Sequence, residues 1–392
     1  MKLLTKNKNI VFFFSVTLVM AAMVWYGTNS KISYTPNYRE SVSFPVGKVI
    51  EVTSDQTETD DYGLRRGRQE LRVKLLSGTR RGDTVDVVNT LTVDHSAYAK
   101  TGMRIVVYFD QQPGDDYYFA SVQNYERSRI IYAIIALFFF LLAAVGGKTG
   151  IRSAFGLVFT FVVIIFFLIP SIINGAPPTP LTLAMIVCII AVSLVSTLGF
   201  TKKACAGMIG TVVGVALCGV FYALISGALR ISGYNVPEID SLIVIAYNTN
   251  IRVGELLFCG ILITSLGAAT DVSVSVASSV AELSGTNAEA TFQGLFRSGM
   301  RIGRDIAGAM SGTLILAFTG SFFTTLILLR IYEVQYNHLI NMDEIAIEIL
   351  QAAASSSALI LCAPITACIA SRLFCARPKH RRRSGIFAGD RA

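Results

Sequence analysis

The sequence predicts a mainly α protein: a polytopic helical membrane bundle of about eight transmembrane helices, with a small extracytoplasmic β-barrel of the OB or SH3-like kind after the first helix. Three observations carry that expectation. The 392 residues are 53% hydrophobic and only 15% charged, at a mean hydropathy of +0.56, whereas an ordinary soluble domain is about 25% charged. The apolar residues gather in runs near the roughly 20 that one crossing requires. One polar segment, residues 30–129, interrupts them with short alternating runs.

Residues 1–29 form a cytoplasmic N-terminus and a transmembrane signal anchor. Lys2, Lys6 and Lys8 precede an apolar run from Ile10 to Tyr26. A cleaved signal peptide would end in a small-x-small site; here bulky Trp25 and Tyr26 stand at the exit, where an interfacial aromatic belt sits.

Residues 30–129 hold five candidate strands: Val46–Val52, Glu70–Leu76, Thr84–Val88, Met103–Phe109 and Tyr117–Val122. Turn formers separate them at Ser77-Gly78, Arg81-Gly-Asp83 and Pro113-Gly-Asp-Asp116. Five short strands in one compact segment make a small barrel. The basic runs Arg65-Arg-Gly-Arg68 and Arg80-Arg81 read as solvated loop, with an anion or lipid headgroup as the alternative.

Residues 130–374 are the membrane domain, with apolar runs at 130–146, 153–173, 180–200, 204–229, 254–280, 305–330 and 347–374. The positive residues orient it. Lys148 and Arg152, Lys202 and Lys203, the arginines at 297, 301 and 304, and the basic tail 375–392 all fall on one side, which the positive-inside rule assigns to the cytoplasm. Asn174-Gly-Ala-Pro-Pro178, Glu238-Ile-Asp240 and Asp343-Glu344 fall on the other, with Arg230 and Arg252. The net charge of +8 therefore reports topology. The partner it implies is a lipid bilayer, not nucleic acid. Residues 239–247 are apolar but too short to cross, as in a re-entrant or interfacial segment. The stretch 285–304 reads as an amphipathic linker along the inner surface.

Cys188, Cys205, Cys218, Cys259, Cys362, Cys368 and Cys375 lie in or beside apolar spans, with no CxxC pair. They read as small apolar packing residues, so neither a disulfide framework nor a metal is expected. His95, His338 and His380 stand in polar segments and assemble no catalytic triad. Gly147-Lys-Thr149 resembles the tail of a phosphate loop, but Leu142 stands where its first glycine must be. No cofactor and no enzyme chemistry is expected. Ser355-Ser-Ser357 followed by Pro364 fits a bent, cavity-lining helix or a kinked packing helix.

An aspartate placed in hydrocarbon is the feature that points to function. Asp271 lies on the apolar helix that begins near Gly254, and an ionised Asp at a helix centre costs about 2.5–3.5 kcal/mol unless it faces protein or water. Thr264, Gly267, Ser275, Ser278 and Glu282 stand at helical offsets from it, so one polar or small stripe runs down a single face. Either a carboxyl satisfied by neighbours such as Thr270 and Ser275, or a proton path, gives that pattern. A second acid, Asp305, follows Arg301 by one turn and Arg304 by one residue. Gly308 and Gly312 continue its face and would let another helix approach closely. Asp305 either caps its helix and pairs with Arg301, or forms the cytoplasmic end of a path from Asp271.

Gly267-Ala-Ala-Thr-Asp271-Val-Ser-Val-Ser-Val-Ala-Ser278 and Leu295-Phe-Arg-Ser-Gly-Met-Arg-Ile-Gly-Arg-Asp305-Ile resemble the YibE/F family of bacterial multipass membrane proteins. The resemblance runs from about residue 130 to the end of the spans and takes in the barrel. It implies a plasma-membrane location and leaves the activity open. The order of parts is also similar, more distantly, to the resistance–nodulation–division permeases. These have an outside domain after the first span, a Gly-x-x-x-Asp helix matching Gly267 to Asp271, an amphipathic linker and two closing spans. That likeness implies a proton-relay role for Asp271, although this chain has two extra spans and a far smaller outside domain.

The expected function is a proton-coupled secondary transporter or permease for an unidentified small solute, with Ser275, Ser278 and Glu282 carrying the proton inward from Asp271. A homo-oligomer or a sister subunit would complete so small a bundle. The alternative is a membrane scaffold or assembly factor that docks partners through the barrel. An intramembrane aspartyl protease would need two aspartates sharing a proton, but its Tyr-Asp and Gly-x-Gly-Asp surroundings are absent.

Overall fold

The computed structural model describes residues 2–30, 41–112, 114, 117–237, 239–286 and 290–375. The basic tail from 376, Glu238, and Pro113 with Asp115 and Asp116 lie outside the described residues. Two compact units divide the chain: Thr35–Ala144, and Met1–Tyr34 together with Val145–Ala392.

The smaller unit carries six strands: β1 (Val42–Ser43), β2 (Val46–Thr59), β3 (Arg65–Leu75), β4 (Thr84–Leu91), β5 (Arg104–Asp110) and β6 (Phe119–Tyr125). Strand β2 pairs with β3 and β5, β3 with β4, β4 with β6 in parallel, and β6 with β5, so five strands close into a barrel and β1 adds to β5. Alternate residues point inward. Val49, Leu71, Val73, Leu75, Val85, Val87, Ile105 and Val107 are the buried apolar core. The β2–β3 hairpin is longer than the hydrophobic alternation suggests, because its outer half is polar on both faces. Arg65, Arg66 and Arg68 consequently stand on a strand, not in the expected loop. They are engaged there, Arg66 with Asp60 at 3.1 Å, Arg68 with Glu70 at 3.1 Å, and Arg65 over the Tyr98 ring at 3.9 Å.

Two fully buried amides, Gln69 and Asn89, fasten the 92–103 segment to this barrel. Asn89 Nδ2 donates to Gln69 Oε1 at 3.0 Å and to the Ala97 carbonyl at 2.8 Å, and the Ala99 amide donates to Gln69 Oε1 at 3.0 Å. Asp55 closes the network. It accepts from the Thr57 hydroxyl at 2.6 Å, from Tyr98 at 2.7 Å and from Gln69 at 3.2 Å. Those donors, Thr57 foremost, hold the Asp55 carboxyl below the ordinary carboxylate range. A depressed folded value means the stabilisation is complete above the unfolded value of about 3.9 and lost as pH falls through the folded one. Protection factors of the amides at residues 92–100 in the full chain, corrected for intrinsic exchange, should therefore fall in acid, and Asp55→Asn should lower them already at neutral pH. Protection that stays constant down the acid range would refute this.

The larger unit begins with α1 (Lys2–Asn29). Helix α2 (Ser128–Val162), which belongs to the smaller unit as far as Ala144 and to the larger from Val145, runs without a gap into a π-helical turn (Val163–Leu168) and α3 (Ile169–Ile173). The sequence predicts two spans here. In the structure they form one helical stretch of 46 residues, interrupted at Gly147, whose dihedrals (φ 52°, ψ −133°) suit glycine alone. Helix α1 packs on the π-turn, where a Cβ at Gly27 would strike the Phe166 backbone.

The remaining helices are α4 (Pro178–Leu198), α5 (Lys202–Leu229), α6 (Ile239–Asn248), α7 (Leu256–Thr286), α8 (Phe292–Ser321), α9 (Phe323–Ile331), α10 (Tyr336–Leu339) and α11 (Asp343–Phe374). Helix α6 is the short segment expected at 239–247. Proline occupies the N-cap of α4 and leaves its first amides uncapped, and Glu255 reaches across to accept from the Thr179 amide at 3.0 Å. Among the described residues six helical segments are long and apolar enough to cross a membrane, and α8 with α9, bent by 58°, make a further candidate.

Helix α11 packs against α5, α7 and α8. Close approach is possible because glycine faces it. A Cβ at Gly210 would fall inside Thr366, and one at Gly214 would lie 2.7 Å from Cys362 Cβ. Thr366 and Ser273 share a buried hydrogen bond of 3.1 Å beside Gly210. Ser355 and Ser356 are buried within α11 and line neither of the cavities described below.

Two expectations for α8 are corrected. The amphipathic stretch is no separate connector: from Phe292 onward it is the opening of α8, with Gly299 against Val280 and Gly303 against Ala363 and Val276. Those two glycines make the close helix contact. Gly308 and Gly312 face open space, because they lie on the opposite side of the helix.

Candidate functional site

Asp271 is the middle residue of the 31-residue helix α7. Its neighbours along the chain explain where it points. Val272, Ser273, Val276, Ala277 and Val280 are fully buried against α5, α8 and α11. At 100° per residue that leaves Asp271 on the far side of the helix. There it enters a cavity of about 550 Å³ between α2, α4 and α7. Asp271 has no hydrogen-bond or ion-pair partner among the described residues.

The walls are apolar (Leu157, Ile189, Ile190, Leu194, Ile263, Leu266 and Val274), and set into them are hydroxyls from all three helices. Helix α2 contributes Ser153 and Thr160, α4 contributes Ser193 and Thr197, and α7 contributes Thr270 and Ser275. Gly156 lets α2 and α4 meet at Ser193, since a Cβ there would lie 3.1 Å from Ser193 Oγ. Three of the hydroxyls spend their proton on their own helix: Thr160 on Gly156 O (3.0 Å), Thr197 on Ser193 O (3.0 Å) and Thr270 on Leu266 O (2.7 Å). Their oxygens remain acceptors. A carboxyl that shares a cavity with such oxygens can hold a proton or a water.

The sequence-predicted stripe divides here. Gly267 and Ser275 line the cavity beside Asp271. Thr264 is half-buried and returns its proton to Gly260 O at 3.0 Å, and Ser278 is also half-buried; neither lines the cavity. Glu282 is exposed, eleven residues further along α7 or about 16 Å. Asp305 is not brought to Asp271. It is exposed on α8, in a separate groove with Arg297, Arg301 and Arg304. The expected Arg301–Asp305 ion pair is absent, in keeping with the weaker order of a cation preceding an acid by four residues on a helix.

Sequence reasoning missed the α2 and α4 hydroxyls. Their signal was present as Ser/Thr pairs at helical spacing, 153 with 160 and 193 with 197, in otherwise apolar runs. It also missed Glu348, a third acid within an apolar helix, whose Oε2 is buried without a hydrogen-bond partner. Among the described residues no group of His, Cys, Asp and Glu could hold a metal ion.

No curated protein and no solved structure matches the chain. The family match begins in α2 and ends just past α11, so it takes in the cavity and the α8 groove and leaves out the barrel that the resemblance was expected to include. On that match, which spans residues 134–376, the chain belongs to the YibE/F-like protein family.

Proposed function

We propose that the protein is a proton-coupled permease of the bacterial plasma membrane, with Asp271 as the group that takes up and releases the proton. The observation that carries this is the placement of Asp271: mid-helix, unpaired, and open to a cavity whose hydroxyl oxygens come from three helices. Ionised, the carboxylate is held by water and hydroxyls in the cavity. Protonated, it donates to an acceptor such as Thr270 or Ser193 and its helix face becomes nearly apolar, which changes how α7 can pack on α4. Asp305 and Glu282 have no part in this version.

The topology that suits this reading has eight crossings. The 46-residue run is about 69 Å long, more than twice a hydrocarbon core of about 30 Å, and Gly147 supplies the turn between two spans. The termini then lie in the cytoplasm and the barrel outside. Its strand order, with the third and fifth barrel strands parallel, is that of an OB-fold, which favours OB over SH3-like.

A carbodiimide that modifies protonated carboxyls tests the proposal in sealed membranes. Labelling of Asp271 should fall as the medium is made alkaline and respond when the proton gradient is collapsed. Labelling indifferent to both would make Asp271 a structural carboxyl and favour the scaffold reading, in which barrel deletions matter and Asp271 does not.

A further inference from the structure

Helix α8 presents a second face that none of the described residues covers. Arg301, Asp305, Gly308, Gly312, Ile315 and Thr319 are all exposed, and their spacing alternates four and three residues. That is the heptad period of one helix seam laid against another. The opposite face is used in its first turns, by Gly299 and Gly303 against α7 and α11, and beyond Ala307 it too has exposed residues such as Ala317 and Gly320. The seam spans 18 residues, or about 27 Å, close to the thickness of a hydrocarbon core.

Its charges indicate what lies against it. Arg301 and Asp305 form no ion pair within the chain, and neither has another partner among the described residues. Lipid tails would leave Asp305, at the start of the 305–330 apolar run, unsatisfied. A copy of the same seam would not. Around a two-fold axis parallel to the membrane normal, equivalent layers meet, and the next layer lies one helical turn away. The Arg301 side chain of one copy then reaches Asp305 of the other, and the pair is made twice. Above them, Gly308 and Gly312 leave open space on this side, so two backbones can approach where no charge is needed. We infer that α8 is a self-association helix, and that the occupant of its 301–319 face is α8 of a second copy of this chain. This does not depend on transport through Asp271.

Single cysteines at Ile315 and Thr319, in the full chain with its own seven cysteines replaced by alanine, test the seam in native membranes. A short bismaleimide should trap dimers from both positions. Ala317→Cys, exposed on the other side of α8, should give only background. Dimers absent, or equal at all three positions, would overturn the inference. The charge pairing is tested by co-expressing differently tagged Arg301→Asp and Asp305→Arg chains. Each should capture the other, because the pairing is restored between copies, and neither should capture its own kind. Capture that ignores these charges would also overturn it. If either variant fails to reach the membrane, the cysteine pattern in the unreversed chain decides.

Discussion

Replacing Asp271 by asparagine should abolish gradient-driven proton movement while leaving the amount of protein in the membrane unchanged. Asparagine has nearly the volume of aspartate and keeps the cavity between α2, α4 and α7 filled as before. It removes only the capacity to change charge. The measurement is the quench of a pH-sensitive dye in proteoliposomes carrying an imposed gradient and challenged with a panel of cations, amino acids and organic anions. The solute response of the parent protein should fall to that of empty liposomes in the variant, and Asp271→Glu should retain part of it. An Asp271→Asn protein that still moves protons in response to solute would remove the carboxyl from the mechanism. Ser275→Ala, by contrast, takes away one acceptor of several and should slow the response without ending it.

The largest loss of stability is expected at Gly210. Adding a methyl there places it inside Thr366, a β-branched side chain already committed to Ser273. Overpacking of a tight core costs about 1–3 kcal/mol, and here the displaced neighbour also gives up a buried hydrogen bond worth about 1 kcal/mol. Gly260 is the control. It lies on α7 with nothing within 4 Å of an added Cβ, and alanine there should gain up to about 1 kcal/mol from helix propensity. Unfolding in mixed micelles of graded denaturing-detergent content should separate the two variants in opposite directions. Equal shifts would mean that α5 and α11 are not in contact at this level.

The elements were largely legible because each rests on a periodicity the chain writes plainly. Apolar runs gave the long apolar helices, alternation gave the barrel strands, and the isolated acid at 271 gave the candidate site. The misses have physical causes. The hairpin from Ser54 to Arg68 is solvated on both faces, so alternation could not show it. Glycines at 299 and 303 and at 308 and 312 are equivalent in sequence, and only tertiary packing decides which pair meets a neighbour. The same ambiguity hid Ser153, Thr160, Ser193 and Thr197. A hydroxyl in an apolar helix can satisfy itself on the preceding turn, so its type says little about whether it faces a cavity. Asp271 and Asp305 were joined into one path because both are rare residues. The packing faces of α7 and α8 turn them apart.

The position of α11 also bears on how the bundle is made. The helices it holds together, α5, α7 and α8, all precede it in the chain. Synthesis therefore delivers α5 and α7 to the bilayer well before Thr366 arrives to meet Ser273. Until then Ser273 has Gly210 of α5 beside it but lacks the Thr366 partner of its buried hydrogen bond. The centre of the bundle is thus completed last: α5, α7 and α8 can meet one another through α7 beforehand, but the glycine face of α5 is filled only when the final helix is made.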